Sequence, residues 1–112
     1  MIINKMKSDC LFTGESGNQY TFELYSKGDP RPEIGGIYIL TYTHPRGHLA
    51  GYKINILDIG KTENLNLLVT DLQQCERLVE QCWNYNYILC LDDPGTRDEY
   101  FQDLEKGVRS NL

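Results

Sequence analysis

Residues 19–25 alternate between apolar and polar, with Tyr20, Phe22 and Leu24 on one side and Thr21, Glu23 and Tyr25 on the other. A period of two is the mark of a half-buried strand. Gly14, Glu15, Ser16, Gly17 and Asn18 precede it. Those are turn residues, so 10–13 is expected to fold back on 19–25 as a hairpin. Residues 26–33 carry Gly28, Asp29, Pro30, Arg31 and Pro32 and read as a loop. A second strand is predicted over 35–42 and a third over 52–59. The stretch between them, with His44, Pro45, Arg46, Gly47 and His48, is too short for a parallel crossover. The two strands should therefore pair antiparallel.

Beyond residue 60 the period changes. Thr70 followed three residues later by Gln73 fits a capping box, with Asp71 suited to a first turn. Leu72, Cys75, Leu78, Val79 and Cys82 then follow helical spacing as far as Trp83. Residues 87–91 form a nearly continuous apolar run, the pattern of a central strand buried on both faces. After the turn residues Asp92, Asp93, Pro94 and Gly95, Thr96 and Glu99 repeat the capping-box spacing. They introduce a helix over 97–108 with Tyr100, Phe101, Leu104 and Val108 on one face. The order of elements predicts one small α+β domain over 1–112: a mixed or antiparallel sheet with helices packed on it, preceded by an N-terminal β-hairpin.

Composition agrees with a folded domain. The chain has 112 residues, 40% of them hydrophobic, with eight Tyr, three Phe and one Trp. That is too aromatic for a disordered chain. No apolar run approaches the roughly 18 residues a membrane span needs. Residues 1–9 lack the order of a signal peptide, so a cytoplasmic protein is expected. Cys10, Cys75, Cys82 and Cys90 show no zinc-ligand spacing. They read as buried reduced thiols, Cys75 and Cys82 sharing a helix face. Net charge is −5, unevenly spread. Residues 1–61 hold seven Lys/Arg against six Asp/Glu, whereas 62–112 hold four against ten. Phosphate binding rests on clustered Lys/Arg, so charge favours a protein partner over nucleic acid.

Two fragments carry a more specific signal. Gly36-Ile37-Tyr38 lies in the second predicted strand. Asp58-Ile59-Gly60 ends the third and runs into Lys61-Thr62-Glu63-Asn64-Leu65. In this order, one loop apart and followed by helices, they resemble the paired signature of GIY-YIG nucleases. The lead-in from Phe12 to Phe22 and the later Arg97, Glu99, Asp103 and Leu104 resemble small stand-alone members, so the likeness covers nearly the whole chain. The resemblance implies cleavage of a phosphodiester in DNA. The expected equipment is a tyrosine from each motif, an arginine on the first helix and a glutamate holding a divalent metal. Such a reaction needs a group to orient water and positive charge against the transition state.

Only part of that equipment is carried over. Tyr38 stands at the first tyrosine. The second tyrosine falls on Asp58, the arginine on Leu68 and the metal-binding glutamate on Phe101. A phenyl ring cannot ligate Mg2+, and leucine cannot grip phosphate. The resemblance therefore implies a catalytically silent GIY-YIG-like binding or regulatory module, not an enzyme, acting through protein or nucleic-acid contacts. No small-molecule cofactor, metal or membrane is expected to be involved. The rival is a divergent DNA endonuclease using Tyr38 and Asp58, with Glu99 as a candidate ligand for Mg2+ or Mn2+ and Lys61 or Arg77 in place of the arginine. Arg46, Lys53 and Lys61 are the candidate nucleic-acid contacts. His44 and His48 lack a third metal ligand.

Overall fold

The computed structural model describes residues 2–3 and 8–109. Its elements run β1 (Ile2–Ile3), β2 (Asp9–Thr13), β3 (Gln19–Ser26), β4 (Gly36–Pro45), β5 (Tyr52–Thr62), α1 (Leu65–Leu72), α2 (Glu76–Glu80), β6 (Tyr85–Cys90) and α3 (Pro94–Arg109). The strands form one six-stranded sheet in the order β1-β5-β4-β6-β3-β2, every pairing antiparallel. The α+β architecture is as the patterning implies. The N-terminal hairpin does not stand before the sheet, however. It is part of it, because β3 pairs with β6.

Successive side chains of a strand point to opposite faces, and β4 and β6 feed both. Ile37, Ile39 and Tyr87 join Phe12, Phe22, Ile54, Ile59, Leu104 and Val108 in a core beneath α3. Tyr38, Leu40 and Ile88 join Leu65, Val69, Leu78 and Trp83 in a second core beneath α1 and α2. The sheet is curled, and the α3 core is rich in aromatic rings. There Phe12 meets Phe22 and Tyr87 edge-on, each with ring centroids 5.2 Å apart, the arrangement aromatic quadrupoles favour. Buried in this core, the Tyr87 hydroxyl is pushed up to about 12 by desolvation.

The helix boundaries differ from the predicted ones. α1 begins at Leu65, capped by Asn64, whose side chain accepts the Leu67 N–H at 3.0 Å. Thr70 lies within α1 and caps nothing. The chain breaks after Leu72 and restarts as α2, so 70–83 is not one helix. At α3 the cap is Asp93 rather than Thr96: its carboxylate accepts the Thr96 N–H at 2.8 Å and the Thr96 hydroxyl at 2.7 Å. Pro94 follows at the first helical position, where its missing N–H costs nothing. The thiols also differ from expectation. All four are free, but Cys82 and Cys90 are exposed and Cys10 and Cys75 half-buried. Cys75 is the N-cap of the short α2 and Cys82 lies past its C-cap, so the two share no helix face.

Candidate functional site around Tyr38 and Asp58

Tyr38 pairs directly with Gly60, and its neighbour Leu40 pairs with Asp58. Tyr38 and Asp58 are thus diagonal neighbours on the face that carries α1 and α2, within reach of long side chains. Glycine at position 60 is required by this packing, since a Cβ there would overlap the Tyr38 hydroxyl. The phenol lies across β5 on the bare backbone of Gly60 and is 8% exposed. Burial raises its pKa first, and the Asp58 charge adds to the rise. A phenol so placed keeps its proton at neutral pH.

Asp58 sits beside an irregularity. The register passes from Leu40↔Asp58 to Thr41↔Ile56, so Leu57 is an extra residue on β5. A bulge bends the strand and re-aims its side chains. Asp58 Oδ1 accepts the N–H of Ile59 at 2.9 Å. From Asn55 onward no described strand pairs with the outer edge of β5, and Asp58 therefore quiets one donor of an open edge. Two arginines approach the same carboxylate. Arg77 of α2 lies 3.9 Å from Oδ2, and Arg109 of α3 lies 3.9 Å from Oδ1. They come from opposite faces of the sheet and meet around its edge. Arg109 also lies 3.7 Å from Glu105.

The remaining sequence-derived positions do not converge here. Leu68 packs into the α1–α2 core. Phe101 lies across the sheet, against the α3 core and beneath the Lys61 ammonium, 5.4 Å from its ring centroid. Lys61 pairs with Asp98 at 2.5 Å on that same far side. Glu99 is exposed on α3, whose cap is Asp93. Arg97 is 5% exposed and donates to the carbonyls of Leu91 and Asp92, closing the end of β6. Arg46 donates to Ala50 within the β4–β5 turn, and Lys53 is exposed opposite His44. These two lie at the other end of β5 from Lys61, so the three cations form no single patch.

Patterning alone could bring Tyr38 to Asp58, because adjacent antiparallel strands carry them. It could also nominate Arg77. Arg109 lies beyond such patterning, since its arrival depends on α3 running along the edge strand. Among the described residues no group of three His, Cys, Asp or Glu side chains is placed to hold a metal ion. None of the described helices is long and apolar enough to cross a membrane. The chain matches no family model, no curated protein and no solved structure.

Proposed function

We propose that this chain is a binding or regulatory module on a GIY-YIG-like scaffold and does not hydrolyse phosphodiesters. The observation that carries the reading is the surroundings of Asp58. A divalent metal needs several oxygen donors gathered around it. Asp58 instead has a guanidinium 3.9 Å from each oxygen, and one of those oxygens accepts the Ile59 N–H. Positive charge on both sides opposes a second cation. The glutamate position of the family pattern falls on Phe101, across the sheet. No metal or cofactor is needed for the role proposed.

Contact with a protein partner follows from the helical half. Leu67 and Val79 are 60% and 52% exposed on α1 and α2, in a stretch that also exposes Glu63, Asp71, Glu76 and Glu80. Apolar anchors with acidic neighbours suit a basic protein surface rather than a phosphate chain. A cytoplasmic location is part of the same reading.

A supercoiled-plasmid assay with Mg2+ and then Mn2+ tests the silent scaffold. The expected result is no nicking above buffer. Nicking that disappears in both Tyr38→Phe and Asp58→Asn would establish the rival, a divergent metal-dependent endonuclease.

A further inference from the structure

We infer that the far end of the β4–β5 hairpin is a binding surface for single-stranded nucleic acid. The surface is distinct from the Tyr38–Asp58 edge and from the acidic helices, so the plasmid assay can come out either way without deciding this point. The pairing of β4 with β6 ends at Thr41↔Tyr85. Tyr42–Pro45 and their β5 partners Tyr52–Asn55 continue past it as an arm, with β1 paired to Tyr52 and Lys53 along its outer side. Its root is fixed by Asn84, whose side chain accepts the Thr43 N–H at 2.9 Å and donates to the Thr43 carbonyl at 2.8 Å, as a neighbouring strand would. One face of the arm is closed, with Thr43 and Ile54 buried.

The other face presents Tyr42 and His44 two residues apart on β4, with Asn55 and Lys53 opposite them on β5. The two rings are stacked, centroids 4.9 Å apart and planes 25° from parallel. Tyr42 belongs to neither buried core, and both rings are only half-buried. Lys53 is exposed, and Arg46 follows at the turn. Charge here departs from the rest of the molecule. Residues 34–57 contain no Asp or Glu, in a chain with 16 of them. Every charged side chain in that segment is a cation.

Aromatic rings flanked by cations are the elements of sequence-tolerant single-strand binding, in which a base stacks on the ring and Lys or Arg meets the phosphates. An acidic peptide would use the cations and leave the rings idle. Duplex DNA offers no exposed base face to stack. Asn55 does not compete for the base, because its amide is committed to the Tyr42 carbonyl at 3.1 Å.

The test is fluorescence anisotropy of the full chain with labelled oligo(dT) and oligo(U) of about 20 nucleotides, beside a duplex of equal length and a labelled polyglutamate. Binding is expected for the single strands, tighter than for the duplex. Log K should fall with log salt at a slope near −1.4, about −0.7 for each of two cations. Tyr42→Ala should weaken binding about 5- to 100-fold, the loss of one stacked base. Lys53→Glu should weaken it and flatten the salt slope. Should Tyr42→Ala fail to fold by circular dichroism, the exposed Lys53→Glu still decides. The proposal is overturned if no single strand binds at 50 mM salt. It is equally overturned if polyglutamate or duplex binds better, or if neither substitution changes the affinity.

Discussion

Cys82 holds a backbone conformation that suits another residue. Its φ of +63° is the only positive value at a non-glycine residue among those described. The cause is the end of α2. The Trp83 N–H donates to the Leu78 carbonyl at 3.1 Å and the Cys82 N–H to Val79 at 3.0 Å, the pair of bonds that closes a helix with a left-handed residue. The contact that completes this ending is Trp83 against Leu78, both buried in one core. The left-handed well costs a residue bearing a Cβ roughly 1–2 kcal/mol, and glycine is exempt. Glycine in turn costs up to about 1 kcal/mol in backbone entropy. Cys82→Gly should therefore raise stability by about 0.5–1 kcal/mol, read as a higher urea midpoint at unchanged slope. An unchanged or lower midpoint would mean that the side chain, not the turn, matters at this position. Helical spacing concealed this ending, because Cys82 falls in step with Cys75 and Leu78.

At the scale of elements, the hairpin and the last helix are held together by a side chain with no predicted role. Asp103 of α3 accepts three bonds from the β2–β3 side: the Ser16 N–H at 2.8 Å, the Ser16 hydroxyl at 2.7 Å and the Tyr20 hydroxyl at 2.7 Å. Its backbone carbonyl takes the Glu15 N–H at 3.0 Å. Gly107 allows the approach, since a Cβ there would collide with Thr13 and Gly14. The Tyr20 bond, then the two Ser16 bonds, hold the Asp103 carboxyl below its ordinary pKa. The folded state thus binds this proton less tightly than the unfolded chain. The contribution of Asp103 is present above the unfolded value of about 3.9 and is lost as pH falls through the lower folded value. Hydrogen exchange at Ser16 and Asn18 should accelerate in acid relative to the centre of β4. Asp103→Asn should remove most of that pH dependence. Equal acid sensitivity in wild type and variant would place the clasp elsewhere. Strand 19–25 and the apolar face of α3 were legible because each keeps one period, and strand 35–42 because it is largely apolar, as a strand feeding two cores must be. α1 was not. Leu65, Val69 and Leu72 keep helical spacing with Cys75 and Leu78 across the break, so the pattern runs through a gap that the backbone does not.

For the whole molecule, the governing fact is that two cores share their strands. The site shows the consequence: of the side chains nearest Asp58, Tyr38 on the neighbouring strand and Arg77 on a predicted helix were legible, and Arg109 was not. Which face α3 would take, and hence that Phe101 would lie across the sheet while Arg109 rounds its edge, is fixed by packing that no local period records. The same sharing bears on cooperativity. β4 supplies Ile37 and Ile39 to one core and Tyr38 and Leu40 to the other, and β6 divides Tyr87 and Ile88 the same way. Leu78 and Leu104 are fully buried, one in each core. Truncation of either to alanine should cost about 2–5 kcal/mol through lost transfer energy and the cavity left behind. Neither core can empty without stripping β4 of half its contacts, so both variants should still unfold in one transition. Trp83 fluorescence reports the α1–α2 core, and the near-UV phenylalanine dichroism of Phe12, Phe22 and Phe101 reports the α3 side. The two should trace coincident curves in wild type, Leu78→Ala and Leu104→Ala alike. If the Trp83 signal in Leu78→Ala melts ahead of the dichroism, α1 and α2 form a separable layer. The acidic face they carry would then be free to reorder on meeting a partner while the curled sheet stayed intact.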